Sequence, residues 1–146
     1  MAFRYRGSFS RTDQTARLMA WPVAASQTIK KGMLLALSSG KAVKASAGSS
    51  AVLGVAAHDI STGSVVTSDD KVLVYIDPEA IFEVDYTGSV KESLSDSDLG
   101  TAFDITSDAD AIDLDDTDDG MCIVVGYDND AATALVKIAA GSRALT

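Results

Sequence analysis

An all-β fold, a compact barrel or sandwich of about nine short strands, is what this sequence predicts. Three observations carry the prediction. The apolar runs are short, roughly four to ten residues, and rich in Val, Ile and Leu. Each run is bounded by Gly, Ser, Asp or Pro, the residues that turn a chain. Side-chain bulk is also low: aromatics are 6% of a chain that is 47% apolar, so Ala, Gly, Ser, Thr and Val must fill a thin, turn-rich body rather than a thick helical core. The length of 146 residues suits one domain.

Taken in order, residues 1–22 form an expected extended N-terminal arm, and residues 23–146 the single all-β domain. The start, "MAFRYRGSFSRTDQTAR", has no core periodicity; it interleaves Phe3, Tyr5 and Phe9 with arginines, a composition suited to contact rather than solvation. The strand signals follow. "TIKKGMLLAL" runs into the turn "SSG" and then "KAVKA"; "AVLGVAAH" follows the loop "SAGSS"; "KVLVYI" leads through "DPEA" to "IFEVDY". After these come "TAFDI", "AIDL", "MCIVVGY" and "TALVKIA". Only "SLSDSDLG" reads as a helical turn, with Ser95 as cap, Asp98 three residues on and Gly100 at the end. No repeat period of a solenoid recurs.

The net charge of −9 is unevenly spread. Residues 1–50 sum to +7 and residues 51–146 to −16. An acidic body repels a phosphate backbone, which argues against nucleic acid as the partner. The basic arm is expected to lie on an acidic protein surface, either its own or a neighbour's. One cysteine, Cys122 in "MCIVVG", excludes an intrachain disulfide and reads as a small buried hydrophobe. No secretion signal is convincing, and no apolar run approaches the roughly 20 residues of a membrane span, so no membrane partner is expected and the chain is read as made in a cytoplasm.

The sequence holds little that reads as catalytic. The single histidine, His58, adjoins Asp59, but neighbours on a strand point to opposite faces and pair poorly. There is no G-x-S-x-G elbow, phosphate loop or dinucleotide fingerprint, and one His with one Cys is too few for zinc. The segment "DLDDTDDG" sets five aspartates within residues 113–119. Read as a calcium loop from Asp115, it places Thr117, Asp119 and Gly120 suitably, but the twelfth position is Gly126, which supplies no carboxylate. A cation site from Asp113, Asp115 and Asp119 stays open as an alternative; the main expectation is a turn between "AIDL" and "MCIVVGY", its charge facing solvent or a basic arm. No catalytic residue, cofactor or required metal is expected.

Residues 27–60, "QTIKKGMLLALSSGKAVKASAGSSAVLGVAAHDI", resemble the capsid decoration (cement, or head-stabilising) proteins of tailed bacteriophages, in which a G-x-L strand is followed by a G-x-A/V strand, an alanine-rich turn and "GVA". "VLVYIDPEAIFEVDY", "SDSDLGTAFDI", "AIDL" and "MCIVVGYD" look similar too, extending the likeness over residues 20–140. The resemblance implies a compact β-fold on the outer surface of the virion capsid, often trimeric, that stabilises the head by bridging copies of the major capsid protein without catalysis. The alternative is a tail- or fibre-type module that binds a host surface glycan, with calcium assistance. On the first reading the contact arm comprises Phe3, Arg4, Tyr5, Arg6, Phe9, Arg11, Arg17 and Trp21. Its aromatics are expected to carry more of the binding than its arginines. Removal of residues 2–17 is expected to leave the domain folded.

Overall fold

Among the described residues thirteen strands form, rather than nine, and the all-β expectation holds. The computed structural model describes residues 1–9 and 16–145. The strands are β1 (Phe3–Ser8), β2 (Leu18–Pro22), β3 (Thr28–Ile29), β4 (Leu34–Ser38), β5 (Lys41–Lys44), β6 (Val52–Ala56), β7 (Ile60–Ser61), β8 (Lys71–Tyr75), β9 (Ala80–Thr87), β10 (Ala102–Ile105), β11 (Ala111–Asp113), β12 (Cys122–Asp128) and β13 (Thr133–Ile138). The expected helical turn is a 3-10 turn, Asp96–Asp98, with the Ser95 N–H donating to the Asp98 carboxylate at 2.8 Å. Among the described residues, no helix is long and apolar enough to cross a membrane.

Two sheets carry the body. In the first, β9, β11, β10, β12 and β13 pair in sequence, and β13 returns to pair with β9, which closes a five-stranded barrel. β9 makes this possible because its length serves several partners: Ala80–Val84 pair with β1, while Asp85–Thr87 pair in parallel with β11. Its sequence "AIFEVDYT" alternates buried and half-buried residues, the period-two pattern of a strand with one face inward. The second sheet runs β2-β8-β6-β4-β5 and curls until Val23, just beyond β2, bridges Ala42 of β5. β3 and β7 form a small separate ladder.

Two cores result, and β4 and β6 are the wall between them. Leu34 and Ala36 of β4, with Val52 and Val55 of β6, join the barrel residues Phe82, Val84, Phe103, Ile112 and Val124. Leu35 of β4, with Leu53 and Ala56 of β6, faces the other way, onto Val23, Ile29, Val72 and Val74. A register irregularity at Leu35/Ala36 lies within this pairing. Burial of each large apolar side chain stabilises by about 1.5–3 kcal/mol, so the wall gains from both of its faces. Gly54 lies within it because a Cβ there would run into the Tyr75 carbonyl of neighbouring β8. Cys122 is buried, as its sequence context suggests.

Both strands within residues 1–22 pair with strands of the body, β1 with β9 and β2 with β8. β1 is extended, as expected, but as a strand of the body. Alternation explains it: "FRYR" turns Phe3 inward and the arginines outward. Phe3 is in the barrel core, edge-on to Phe82 at 6.3 Å between ring centroids. The Phe3 N–H also donates to the carbonyl of Gly32, in the turn leading into β4 of the second sheet, at 2.8 Å. Gly32, at φ 88°, is required there, since a Cβ would lie 2.5 Å from that of Ala2. β2 pairs along its whole length with β8.

This placement reverses the expected effect of truncation, because removal of residues 2–17 takes a core side chain, Phe3, and the paired strand β1. Phe3→Ala is predicted to lower the unfolding free energy by about 3–5 kcal/mol, whereas Arg6→Ala should cost only about 0–1 kcal/mol. Urea denaturation of the two variants measures the difference; equal stability of Phe3→Ala and wild type would restore the free arm.

Candidate contact surfaces

The residues expected to make outside contacts are for the most part engaged within the chain. Arg4 donates from Nε to Glu83 at 3.1 Å and from Nη1 to Asp85 at 3.2 Å, and Arg6 reaches the same Glu83 at 3.1 Å. The Arg6 hydrogen bond, joined by that of Arg4 and opposed by burial, holds the Glu83 carboxyl below the ordinary range. The opposite charge attracting this segment is therefore on β9, not on the acidic loop. These pairs are partly exposed, so each contributes about 0–1 kcal/mol. Tyr5 stacks on Tyr75 with ring centroids 5.4 Å apart and planes 6° from parallel, and it meets Phe82 edge-on. Such geometry adds about 0.5–1.5 kcal/mol per aromatic pair beyond area burial. Between β1 and the second sheet lies a groove of about 470 Å³, lined by Tyr5, Ala16, Gly32, Ala56 and Tyr75 among others.

Trp21 is half-buried against the second core, with Nε1–H donating to the Gly40 carbonyl at 2.9 Å. Phe9 is 58% exposed, with the Lys137 ammonium 5.2 Å from its ring centre. Arg17 is exposed; its carbonyl accepts from the Ile76 N–H. Arg11 lies outside the described residues. Of the eight expected contact residues, Phe9 and Arg17 thus remain most available to a partner, with the outer edges of Arg4 and Arg6. Three residues not anticipated join them. Leu18 and Met19 of β2 and Leu73 of β8 are 45%, 48% and 42% exposed. The signal was present in "RLMAW", an apolar run immediately after an arginine with no hydrophobic partner segment before it.

His58 and Asp59 serve the backbone separately. His58 Nε2 accepts the Leu73 N–H at 3.0 Å and its Nδ1 lies 3.0 Å from the Asp59 carbonyl, which fixes the tautomer with hydrogen on Nδ1. The Asp59 carboxylate accepts the Lys31 N–H at 2.7 Å.

The acidic loop turns the chain between β11 and β12 as expected, but not as a hairpin, because β10 lies between those strands. Its aspartates fold it. Asp113 accepts from the Asp115 N–H and Asp116 from the Asp118 N–H, each bending the chain locally. The Asp115 carboxylate gathers the N–H groups of Lys91 at 2.7 Å, Ser89 at 2.6 Å and Val90 at 3.2 Å, together with the Ser89 hydroxyl. These bonds lower its pKa to about 2. Among the described residues, no three His, Cys, Asp or Glu side chains are grouped to hold a metal ion. Asp104 is buried beside the loop and accepts from Gly48 at 2.7 Å and Ile105 at 2.8 Å. Burial outweighs those bonds and raises its pKa.

Compared with known proteins, the chain matches no family model and no curated sequence.

The two carboxyls have opposite pH consequences. Asp115 is lowered, so the bracing of residues 89–91 is fully present above its ordinary 3.8 and is lost as pH falls through about 2. Asp104 is raised, so its charge opposes folding increasingly as pH rises through its folded-state value. The Ser89, Val90 and Lys91 amide proton resonances should titrate together with a midpoint near 2. Titration near 3.8 would mean that the carboxylate is not held there.

Proposed function

We propose that this chain is a structural virion protein that binds the outer surface of an icosahedral phage head and stabilises it by bridging major capsid subunits, acting as a homotrimer. The single observation that carries the reading is the strand and turn pattern of residues 27–60, which resembles that of head decoration proteins. In this chain that stretch supplies β3, β4, β5, β6 and the start of β7. It thus includes the two-faced wall, not a peripheral loop.

The fold is consistent with such a role in physical terms. A head-stabilising protein transmits load between neighbours, and rigidity comes from close-packed cores and paired strands. Here one strand wall is packed from both sides, and the N-terminal strand is tied to both sheets. Contact with a large protein surface also favours exposed apolar side chains among charged ones, as at Leu18, Met19 and Leu73 beside Arg17 and Lys71.

Purified protein mixed with empty, expanded phage heads is predicted to cosediment with them and to raise their resistance to heat, and cryo-electron microscopy should show added density on the outer surface between capsid subunits. Absence of the protein from the washed heads of the phage that encodes it would reject the proposal.

A further inference from the structure

The chain has an electrically lopsided body. Residues 16–76 carry six cations, Arg17, Lys30, Lys31, Lys41, Lys44 and Lys71, against Asp59, Asp69 and Asp70, a net +3. Residues 77–145 carry seventeen carboxylates against three cations, a net −14. Those three are already engaged: Lys91 with Asp98, Lys137 and Arg143 with Glu79. None of the six cations of residues 16–76 forms an ion pair with another described residue.

Each lobe also presents apolar side chains within its own field. On the second sheet, β2 is an edge strand, and the pairing of Ala20 with Leu73 and Leu18 with Tyr75 sets Leu18, Ala20 and Leu73 on one side of the sheet. Val72 and Val74, on the other side, fill the core, so the Leu18–Leu73 side is the outer one. Arg17 precedes Leu18 and Lys71 lies opposite Pro22, so cations stand at both ends. On the barrel, Leu99 and Val125 are 46% and 37% exposed. They are held close by the Gly100 N–H bonded to the Val124 carbonyl at 2.8 Å and the Val124 N–H to Thr101 at 3.0 Å. The exposed carboxylate of Asp96 rims them, accepting from the Tyr127 hydroxyl at 2.8 Å, while Asp98, which precedes Leu99, is buried and paired with Lys91.

We infer that these faces bind each other between copies of the chain, the basic Leu18–Leu73 face of one copy seating on the acidic Leu99–Val125 face of the next. Charge complementarity selects this partner. The rim charges steer and orient the encounter, while the apolar centres supply the affinity. Two different faces make a head-to-tail contact, which closes into a ring when the rotation permits, rather than a two-fold dimer. The inference does not require the capsid role; it says how copies meet, whatever they coat.

Sedimentation velocity of the full chain tests it. Association is expected at about 0.1 M salt and should weaken by about tenfold or more at about 1 M, where the screening length falls from about 10 Å to about 3 Å. Leu73→Asp should disable the basic face, and Leu99→Asp with Val125→Asp the acidic one. Each variant alone should be monomeric with an unchanged circular dichroism spectrum, because the replaced side chains are exposed. Arg17→Glu with Lys71→Glu, which alters no buried side chain, should act as Leu73→Asp does. Mixed in equal amounts, the basic-face and acidic-face variants should form a one-to-one heterodimer, since one intact face of each kind remains. A monomeric wild type at low salt, variants that associate as wild type does, or a mixture that stays monomeric would each overturn the head-to-tail contact. Failure to bind phage heads would leave these results untouched.

Discussion

The wall made by β4 and β6 is the constraint on which the rest of the structure depends. A strand with one buried face can slide or fray at modest cost. A strand buried on both faces fixes its register twice over, since a one-residue slip would misplace the residues of both cores together. Leu34 and Leu35 are adjacent in sequence yet belong to different cores, and so do Val52 and Leu53. The elements around the wall are placed by what these residues require. β8 must come close enough to β6 that only Gly54 fits opposite the Tyr75 carbonyl, and β1 must lie where Gly32 can receive it. The barrel reaches back to the same wall through the Leu34 N–H, bonded to Ala109 at 2.7 Å, and through the Ala144 N–H, bonded to Val52 at 2.8 Å. The two sheets are thereby one packed body.

Electrostatics acts on this frame from outside. The cations of β1 meet carboxylates of β9, so the sign of the N-terminal segment is spent in holding it down, while the packing of Phe3 and Tyr5 supplies more of the energy. The aspartates of residues 113–119 do different work. Backbone N–H groups occupy the Asp115 carboxylate, and the loop holds its shape through those bonds. What remains unneutralised is divided by lobe. This division gives the surface a direction.

Much of the architecture was legible in the sequence, for local reasons. Short β-rich runs and their turn residues mark strands whatever the tertiary context, and Ser95 with Asp98 marks the 3-10 turn because its bonds are local. The two-faced wall was also written there, although the simple strand pattern hides it: "MLLAL" and "AVLGVAA" are unbroken apolar runs, the mark of burial on both sides, whereas "IFEVDY" alternates. The intrachain partners of the expected contact residues were hidden for a related reason. "FRYRGSF" alternates as an inward-facing strand does, but its arginines drew attention to outside partners, and nothing local tells that Glu83 and Asp85, some eighty residues away, stand opposite. Closure of the barrel through β9, and the passage of the acidic loop across β10, depend on long-range pairing that no local motif encodes.

The central claim, that a shared wall makes two sheets one cooperative body, is tested most directly by native-state hydrogen exchange. Amides in β6, in barrel strands β9 and β12, and in β8 of the second sheet should all exchange through the same global opening, with one free energy and one denaturant dependence. Exchange of β8 through a separate, lower-energy opening that leaves β9 and β12 protected would contradict the account, because the second sheet would then unfold without the wall.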